Sequence, residues 1–297
     1  MKLLTFIVDG QYRLGVKQPN GVIDVAAVLA AVPATTPVPT SVQEVIEGGA
    51  ETLAVLRAYI DGLGAGDAKW LLDESSLTFG PAVPQAKKII CIGLNYRKHA
   101  EETNSPIPKY PVVFNKFHNA LAAHGDSIPL PRQSQKVDYE AELAIVIGRK
   151  AKYVAKEEAL DYVFGYCNVN DLSARDWQQL TSQWLLGKSC DKFAPLGPYV
   201  VTADEVGNPN QLEIRLTLNG EVRQHSNTSD MIFHCDEIIS CLSRHMTLYP
   251  GDVILTGTPE GVIMGYPPER QVYLKDGDVV TVEIEKLGAL TNRMVAE

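Results

Sequence analysis

Asp138-Tyr139-Glu140-Ala141-Glu142-Leu143-Ala144-Ile145-Val146-Ile147 decides how this chain is read: it opens with carboxylates and then turns wholly apolar. Side chains alternate faces along a strand, so Glu140 and Glu142 point one way while Tyr139, Ala141 and Leu143 point the other. Two carboxylates side by side repel each other unless a cation sits between them. The E-x-E spacing by itself favours an exposed strand face. A metal site needs a third group.

Around this run the pattern stays strand-rich. Ile89–Ile92, Val112–Phe114, Ala141–Ile147 and Val163–Val169 read as buried or half-buried strands. Asn219-Gly220 separates Ile214–Leu218 from Val222–Gln224 as a hairpin turn. Asp236–Met246 has helical spacing. Tyr249-Pro250-Gly251-Asp252 turns into Val253–Thr256, and Asp276-Gly277-Asp278 turns into Val279–Ile284. Helices are few and scattered, so the fold class is α+β, strand-rich, and not a doubly wound parallel sheet. Toward the N-terminus, Asp9-Gly10 and Asn20-Gly21 predict a small antiparallel meander. A proline-rich connection, Pro33 to Pro39, leads to two short helices over Val42–Ile46 and Thr52–Ile60. Phe79-Gly80-Pro81-Ala82-Val83-Pro84 is the candidate linker. Residues 1–78 are therefore read as a small N-terminal α+β domain and residues 79–297 as the main domain.

The 297 residues, 45% hydrophobic and 7% aromatic, suffice for a real core. No apolar run is long enough to cross a bilayer. Met1–Val8 resembles the start of a signal peptide, but Asp9-Gly10 cuts the run short and a first strand fits better. A soluble, cytoplasmic protein is expected. The cysteines at 91, 167, 190, 235 and 241 form no C-x-x-C pair and no zinc-type spacing, which suits reduced thiols. A net charge of -9 argues against a general nucleic-acid surface, and no membrane partner is expected. It is compatible with an anionic small molecule, because a local metal and a few Lys or Arg reverse the sign inside a cleft.

The third carboxylate is Asp171, in Asn168-Val169-Asn170-Asp171-Leu172-Ser173-Ala174-Arg175-Asp176, where an apolar strand runs into a helix. Strand ends that open into loops are common ligand positions. An N-cap is the other reading of Asp171. Three oxygen ligands without His or Cys suit Mg2+ or Mn2+ and fit zinc poorly.

These two segments, with Gly187-Lys188-Ser189 and Thr256-Gly257-Thr258-Pro259-Glu260-Gly261, resemble the fumarylacetoacetate hydrolase family. The motifs recur in family order from about residue 88 to the C-terminus. The resemblance implies a mixed β-sandwich roll for the catalytic domain, a variable N-terminal domain, and a homodimer. It also implies a catalytic His99, in the context Asn95-Tyr96-x-x-His99-Ala100, with Glu102 as its partner. On a helical turn His99 and Glu102 are neighbours at i and i+3, where a carboxylate orients an imidazole for service as a base. Without the motif, the pair reads as a surface salt bridge. His118 and His124 lack both acid and motif. Lys116 and Lys188 read as snorkelling surface residues, whereas the resemblance puts both in the cleft to neutralise a substrate carboxylate or oxyanion. Arg175 and Gln178 share a helix face and are candidates to orient substrate, although Arg175 also has Asp176 and Glu140 as partners. Gly257 lets backbone N–H groups approach an anion, with the Thr258 hydroxyl as a further donor, or the segment is simply a tight turn. The family continues Val-Gly where this chain has Val262-Ile263-Met264-Gly265.

Family substrates share a pyruvoyl end, which suits a hard cation, and bond cleavage beyond C3 passes through an enolate. The expected function is metal-dependent C–C hydrolysis of a 2,4-dioxo acid of the acylpyruvate or fumarylpyruvate type. Oxaloacetate decarboxylation and isomerisation of an unsaturated 2-oxo diacid use the same enolate. A non-catalytic metal-binding scaffold is the alternative from another class.

Overall fold

The computed structural model describes residues 1–63 and 70–297. Strands β1 (Lys2–Val8), β2 (Gln11–Gln18) and β3 (Gly21–Asp24) form the expected meander. Asp9 and Gly10 take φ of 50° and 75°, as a primed two-residue hairpin turn requires. The Asp24 side chain caps α1 (Val25–Ala31) by accepting from the Ala27 N–H. The two expected short helices are both present, as the halves of the run α2 (Val42–Asp61), which is broken at Gly49 by a non-helical backbone with φ 62° and ψ -145°. Ser41 and Glu44 form a capping box at its start, which fixes where it begins. β4 (Leu71–Leu72) closes this part.

The main part runs through β5 (Ile89–Gly93), α3 (Arg97–Glu102), β6 (Val112–Lys116), β7 (Leu121–Ala122), β8 (Ser127–Leu130), β9 (Val137–Asp138) and β10 (Ala141–Ile147). Next come β11 (Val163–Asn170), β12 (Ser173–Ala174), α4 (Arg175–Gln178), α5 (Leu185–Lys188), β13 (Ala194–Thr202) and α6 (Ala203–Val206). The chain ends with β14 (Glu213–Leu218), β15 (Glu221–Asn227), α7 (Cys235–His245), β16 (Val253–Leu255), β17 (Val279–Ile284) and β18 (Gly288–Ala296).

One sheet has the order β4-β3-β2-β1-β13-β11-β10-β16-β5-β6, with β7 beside β13, and a second has the order β15-β14-β17-β18-β8. Both are mixed, since β16–β5 and β18–β8 pair in parallel. β1 hydrogen-bonds β13, Leu3 opposite Val200, so the first meander extends the main sheet. β13 is buried along its whole length despite Pro195 and Pro198, residues that normally exclude a segment from a sheet interior. The spacing does not predict it.

β10 shows why the sheet is covered on both sides. Leu143, Ile145 and Ile147 enter a core shared with Leu216, Val282 and Leu290 of the second sheet. Ala144 and Val146 enter another, shared with Val45, Ile46 and Leu56 of α2. The same registers position the polar end of the strand. Ala141 pairs with Asn170, so Glu140 and Asp171 lie side by side where the pair opens, with the Asp171 N–H donating to the Glu140 carbonyl at 2.9 Å. Ala144 pairs with Leu255 on the other flank, which carries Gly257 to Glu142.

Candidate active site

Glu140, Glu142 and Asp171 each present an oxygen within 4.8 Å of the others, and all three are buried. No other such group of metal-type side chains forms among the described residues. Asp171 is not a helix N-cap: α4 starts four residues later, with no side-chain cap. Lys188 donates to Glu140 Oε2 and to Asp171 Oδ2, each at 2.8 Å. Arg175 reaches Glu140 Oε1 at 2.7 Å and Asp138 Oδ2 at 2.9 Å. Burial pushes the Glu140 carboxyl up, but Lys188 and Arg175 outweigh it and hold it well below the usual range. Burial opposes the Lys188 charge, yet Asp171 and Glu140 drive its ammonium above the ordinary lysine value.

Glu142 differs. Burial, then the charges of Asp171 and Glu140, push its carboxyl well above the ordinary value. Its hydrogen-bond partner is the Gly257 N–H at 2.7 Å, and it makes no ion pair among the described residues. The cluster therefore carries four buried carboxylates, Asp138 included, against the cations Lys116, Arg175 and Lys188. A divalent cation would supply the missing positive charge beside Glu142, and an all-oxygen donor set suits a hard one. The residues present fit such an ion.

Three expected substrate donors are turned onto the protein instead. Lys116 lies behind the carboxylates, bonding Asp171 Oδ1 at 2.7 Å and the carbonyls of Leu172, Lys188 and Phe193. With three N–H groups and four acceptors it has no donor to spare. The anion that the Gly257 N–H approaches is Glu142 itself. The Thr258 hydroxyl donates to the Ala141 carbonyl at 2.9 Å and accepts from Gln224 Nε2 at 2.9 Å. These groups hold the ligand-bearing strand in place. Arg175 and Gln178 do share a face, with Arg175 Nη1 donating to Gln178 Oε1 at 3.0 Å.

His99 is buried, and its Nδ1 lies 2.8 Å from Glu102 Oε1. Glu102 Oε2 accepts from the Gly261 N–H at 2.9 Å, so one turn, Gly257 to Gly261, steadies both the carboxylate cluster and the acid behind the histidine. His99, Glu140, Glu142, Arg175, Lys188 and Thr258 face one cavity of about 170 Å3. His118 and His124 are not among its walls. A larger cavity, about 1150 Å3, is lined by Lys17, Glu74, His124 and Tyr199 among others and by none of the clustered carboxylates.

Two supports escape sequence reasoning. Asp138 is fully buried and binds Arg175 together with the N–H groups of Tyr139, Ile263 and Met264. Its place at the head of the quoted strand was the available signal. Gln224, also buried, accepts from the Ala141 N–H and donates to Thr258 and to the Pro259 carbonyl, and no local pattern marks it. Asp138→Ala leaves Arg175 with one fewer carboxylate in a buried setting. Urea unfolding is expected to show a loss of about 3–5 kcal/mol, the range for breaking a buried pair; a loss within 1 kcal/mol of zero would remove Asp138 from this role.

The family model described as "Fumarylacetoacetate (FAA) hydrolase C-terminal" matches residues 88–295. The mitochondrial oxaloacetate tautomerase FAHD2A of Bos taurus is 44% identical over 288 residues, covering 95% of this chain and 87% of that one. A fumarylacetoacetate hydrolase from Exiguobacterium antarcticum superposes with a TM-score of 0.80 at 34% identity, over 100% of both chains. A maleylpyruvate hydrolase from Sphingobium sp. SYK-6, solved with manganese(II) and pyruvate, gives 0.78 at 30% identity, over 100% of this chain and 99% of that one.

Proposed function

The chain belongs to the fumarylacetoacetate hydrolase family and is an enzyme of it, and from that premise we propose that it interconverts the keto and enol forms of oxaloacetate with the help of Mg2+ or Mn2+. The observation that carries this reading is that Glu140 and Glu142 of the buried carboxylate cluster share one small cavity with His99, whose Nδ1 is held by Glu102. Its volume is well below the roughly 300–1,000 Å3 of sites for drug-sized ligands, which suits a short 2-oxo acid. The likeness to oxaloacetate tautomerases, spread over 95% of the chain, supports the substrate.

Glu140, Glu142 and Asp171 would hold the cation. When bound, it would supply Lewis-acid polarisation of the 2-oxo group, worth several kcal/mol of charge stabilisation. Lys188 is committed to Glu140 and Asp171, and its remaining N–H is a donor for the developing oxyanion. Glu102 occupies His99 Nδ1, which leaves Nε2 to take a proton from C3 and return it to the substrate oxygen. Keto–enol interconversion needs no attacking water. The reverse transfer uses the same atoms.

Hydrolysis of a 2,4-dioxo acid, the first expectation from the sequence, is the second reading. The likeness to maleylpyruvate hydrolase favours it, and the same His99–Glu102 pair would then activate water. In either case the partner is a small anionic 2-oxo acid, and we propose a homodimer, which light scattering would test. The deciding experiment is a panel with Mg2+ or Mn2+, with and without chelator. It follows ketonisation of enol-oxaloacetate, decarboxylation of oxaloacetate, and cleavage of acetylpyruvate and fumarylpyruvate. Chelator-sensitive ketonisation exceeding the other rates is expected. Cleavage of a 2,4-dioxo acid as the dominant activity would overturn the tautomerase reading.

The raised Glu142 carboxyl sets the pH dependence of metal uptake. A proton held there must leave before the ion binds, so Mn2+ affinity is expected to strengthen as pH rises through the raised Glu142 value. Calorimetry in buffers of different ionisation enthalpy would register the released proton. Affinity that does not change with pH would remove Glu142 from the ligand set.

A further inference from the structure

We infer that Met264 and Gln179, which meet across the mouth of the cavity, set the substrate length that the site accepts, admitting a short 2-oxo diacid and excluding longer 2,4-dioxo acids. This inference rests on the reading that the 2-oxo acid end lies at Glu140, Glu142 and Asp171. With that end fixed, anything beyond C3 must occupy the rest of the cavity, whose lining includes Met264, Gln179 and Trp184.

This part of the lining is firmly held. On one side Trp184 packs edge-on against Phe114, with ring centroids 5.3 Å apart. Trp184 also lies so close over Gly93 that an added Cβ there would come within 2.3 Å of its ring, so the indole has no room to retreat. On the other side stands Met264, in the segment where this chain departs from the family's Val-Gly. Its N–H donates to Asp138 Oδ2 at 3.0 Å, and its carbonyl accepts from Gln271 Nε2 at 3.0 Å. The next residue, Gly265, abuts the Glu102 carboxyl, which an added Cβ would meet at 2.6 Å. The backbone carrying Met264 is thus tied to the group that anchors Arg175 and pressed against the acid that orients His99. It cannot move outward without disturbing both. The Gln179 amide nitrogen completes the span at 3.7 Å from the Met264 sulfur. Both side chains line the 170 Å3 cavity. Widening the site therefore requires a shorter side chain at 264 rather than a shift of the loop.

The test compares wild type, Met264→Ala and, as a variant on a different element, Gln179→Ala, all loaded with Mn2+. The ratio of kcat/KM for fumarylpyruvate to that for oxaloacetate is expected to rise at least about tenfold in Met264→Ala, the low end of the roughly 10–200-fold that one methylene commands in an apolar pocket. A smaller rise in the same direction is expected for Gln179→Ala. A second readout needs no turnover: thermal protection of the Mn2+-loaded protein by oxalate and by 2-oxoadipate. Wild type should be protected by oxalate alone and Met264→Ala by both. If binding selectivity shifts as stated while neither form turns over oxaloacetate, the length gate stands and the tautomerase reading falls. If folded Met264→Ala and Gln179→Ala both keep the wild-type ratio and the wild-type protection pattern, the gate is wrong.

Discussion

Glu142→Gln is expected to abolish metal-dependent turnover and to weaken Mn2+ binding by more than about 100-fold, the upper end of the effect of losing a mere supporting residue. Glu142 is the carboxylate of the cluster without a cation of its own, so its charge is the one left for the ion to neutralise. The amide keeps the shape and an oxygen to accept from the Gly257 N–H. A folding defect is therefore not expected, and the stability effect has the opposite sign. A carboxyl whose folded value is raised binds more protons folded than unfolded, so its contribution to stability falls as pH rises from the ordinary carboxylate range through the raised value. Removing that charge should make the metal-free variant at least as stable as metal-free wild type, with an advantage that grows with pH across this window. Thermal melts over a pH series in chelator would show it. A variant that melts well below wild type at neutral pH, or that keeps its Mn2+ affinity, would contradict the assignment.

His99→Ala should behave differently. Loss of a positioned base costs roughly 10²–10⁴-fold in the proton-transfer step. The expected result is a fall of that size in kcat for ketonisation, with Mn2+ affinity within a few-fold of wild type, because His99 is not one of the three clustered ligands. Glu102→Gln should fall less, since it leaves the imidazole present but loosely oriented. Decarboxylation of oxaloacetate requires no base, so any such side activity should survive in His99→Ala. Wild-type ketonisation by His99→Ala would mean that the proton moves through another group.

The carboxylate cluster was legible because its cause is local. The period of two along β10 puts Glu140 and Glu142 on one face, and Asp171 ends the strand that pairs with it. The hairpin turns were legible for the same reason. What escaped depends on distant pairing. β13 carries prolines that argue against a buried strand, yet it lies between β1 and β11 in the centre of the sheet. Gln224 sits on the second sheet and reaches Ala141 and Thr258 only because the sheets pack together. Lys116, Gly257 and Thr258 read from the sequence as donors to the substrate. The fold turns their donors onto Asp171, Glu142 and Ala141, since buried carboxylates and carbonyls must be satisfied first. The residues of the site were thus more legible than their hydrogen-bonding partners.

The most direct test of the central claim is hydrogen–deuterium exchange at C3 of oxaloacetate, followed by NMR with Mg2+. Wild-type protein should accelerate exchange above the protein-free rate, and both chelator and Glu142→Gln should abolish the acceleration. Acceleration that persists undiminished with chelator and in Glu142→Gln would show that the cluster of Glu140, Glu142 and Asp171 does not drive the chemistry.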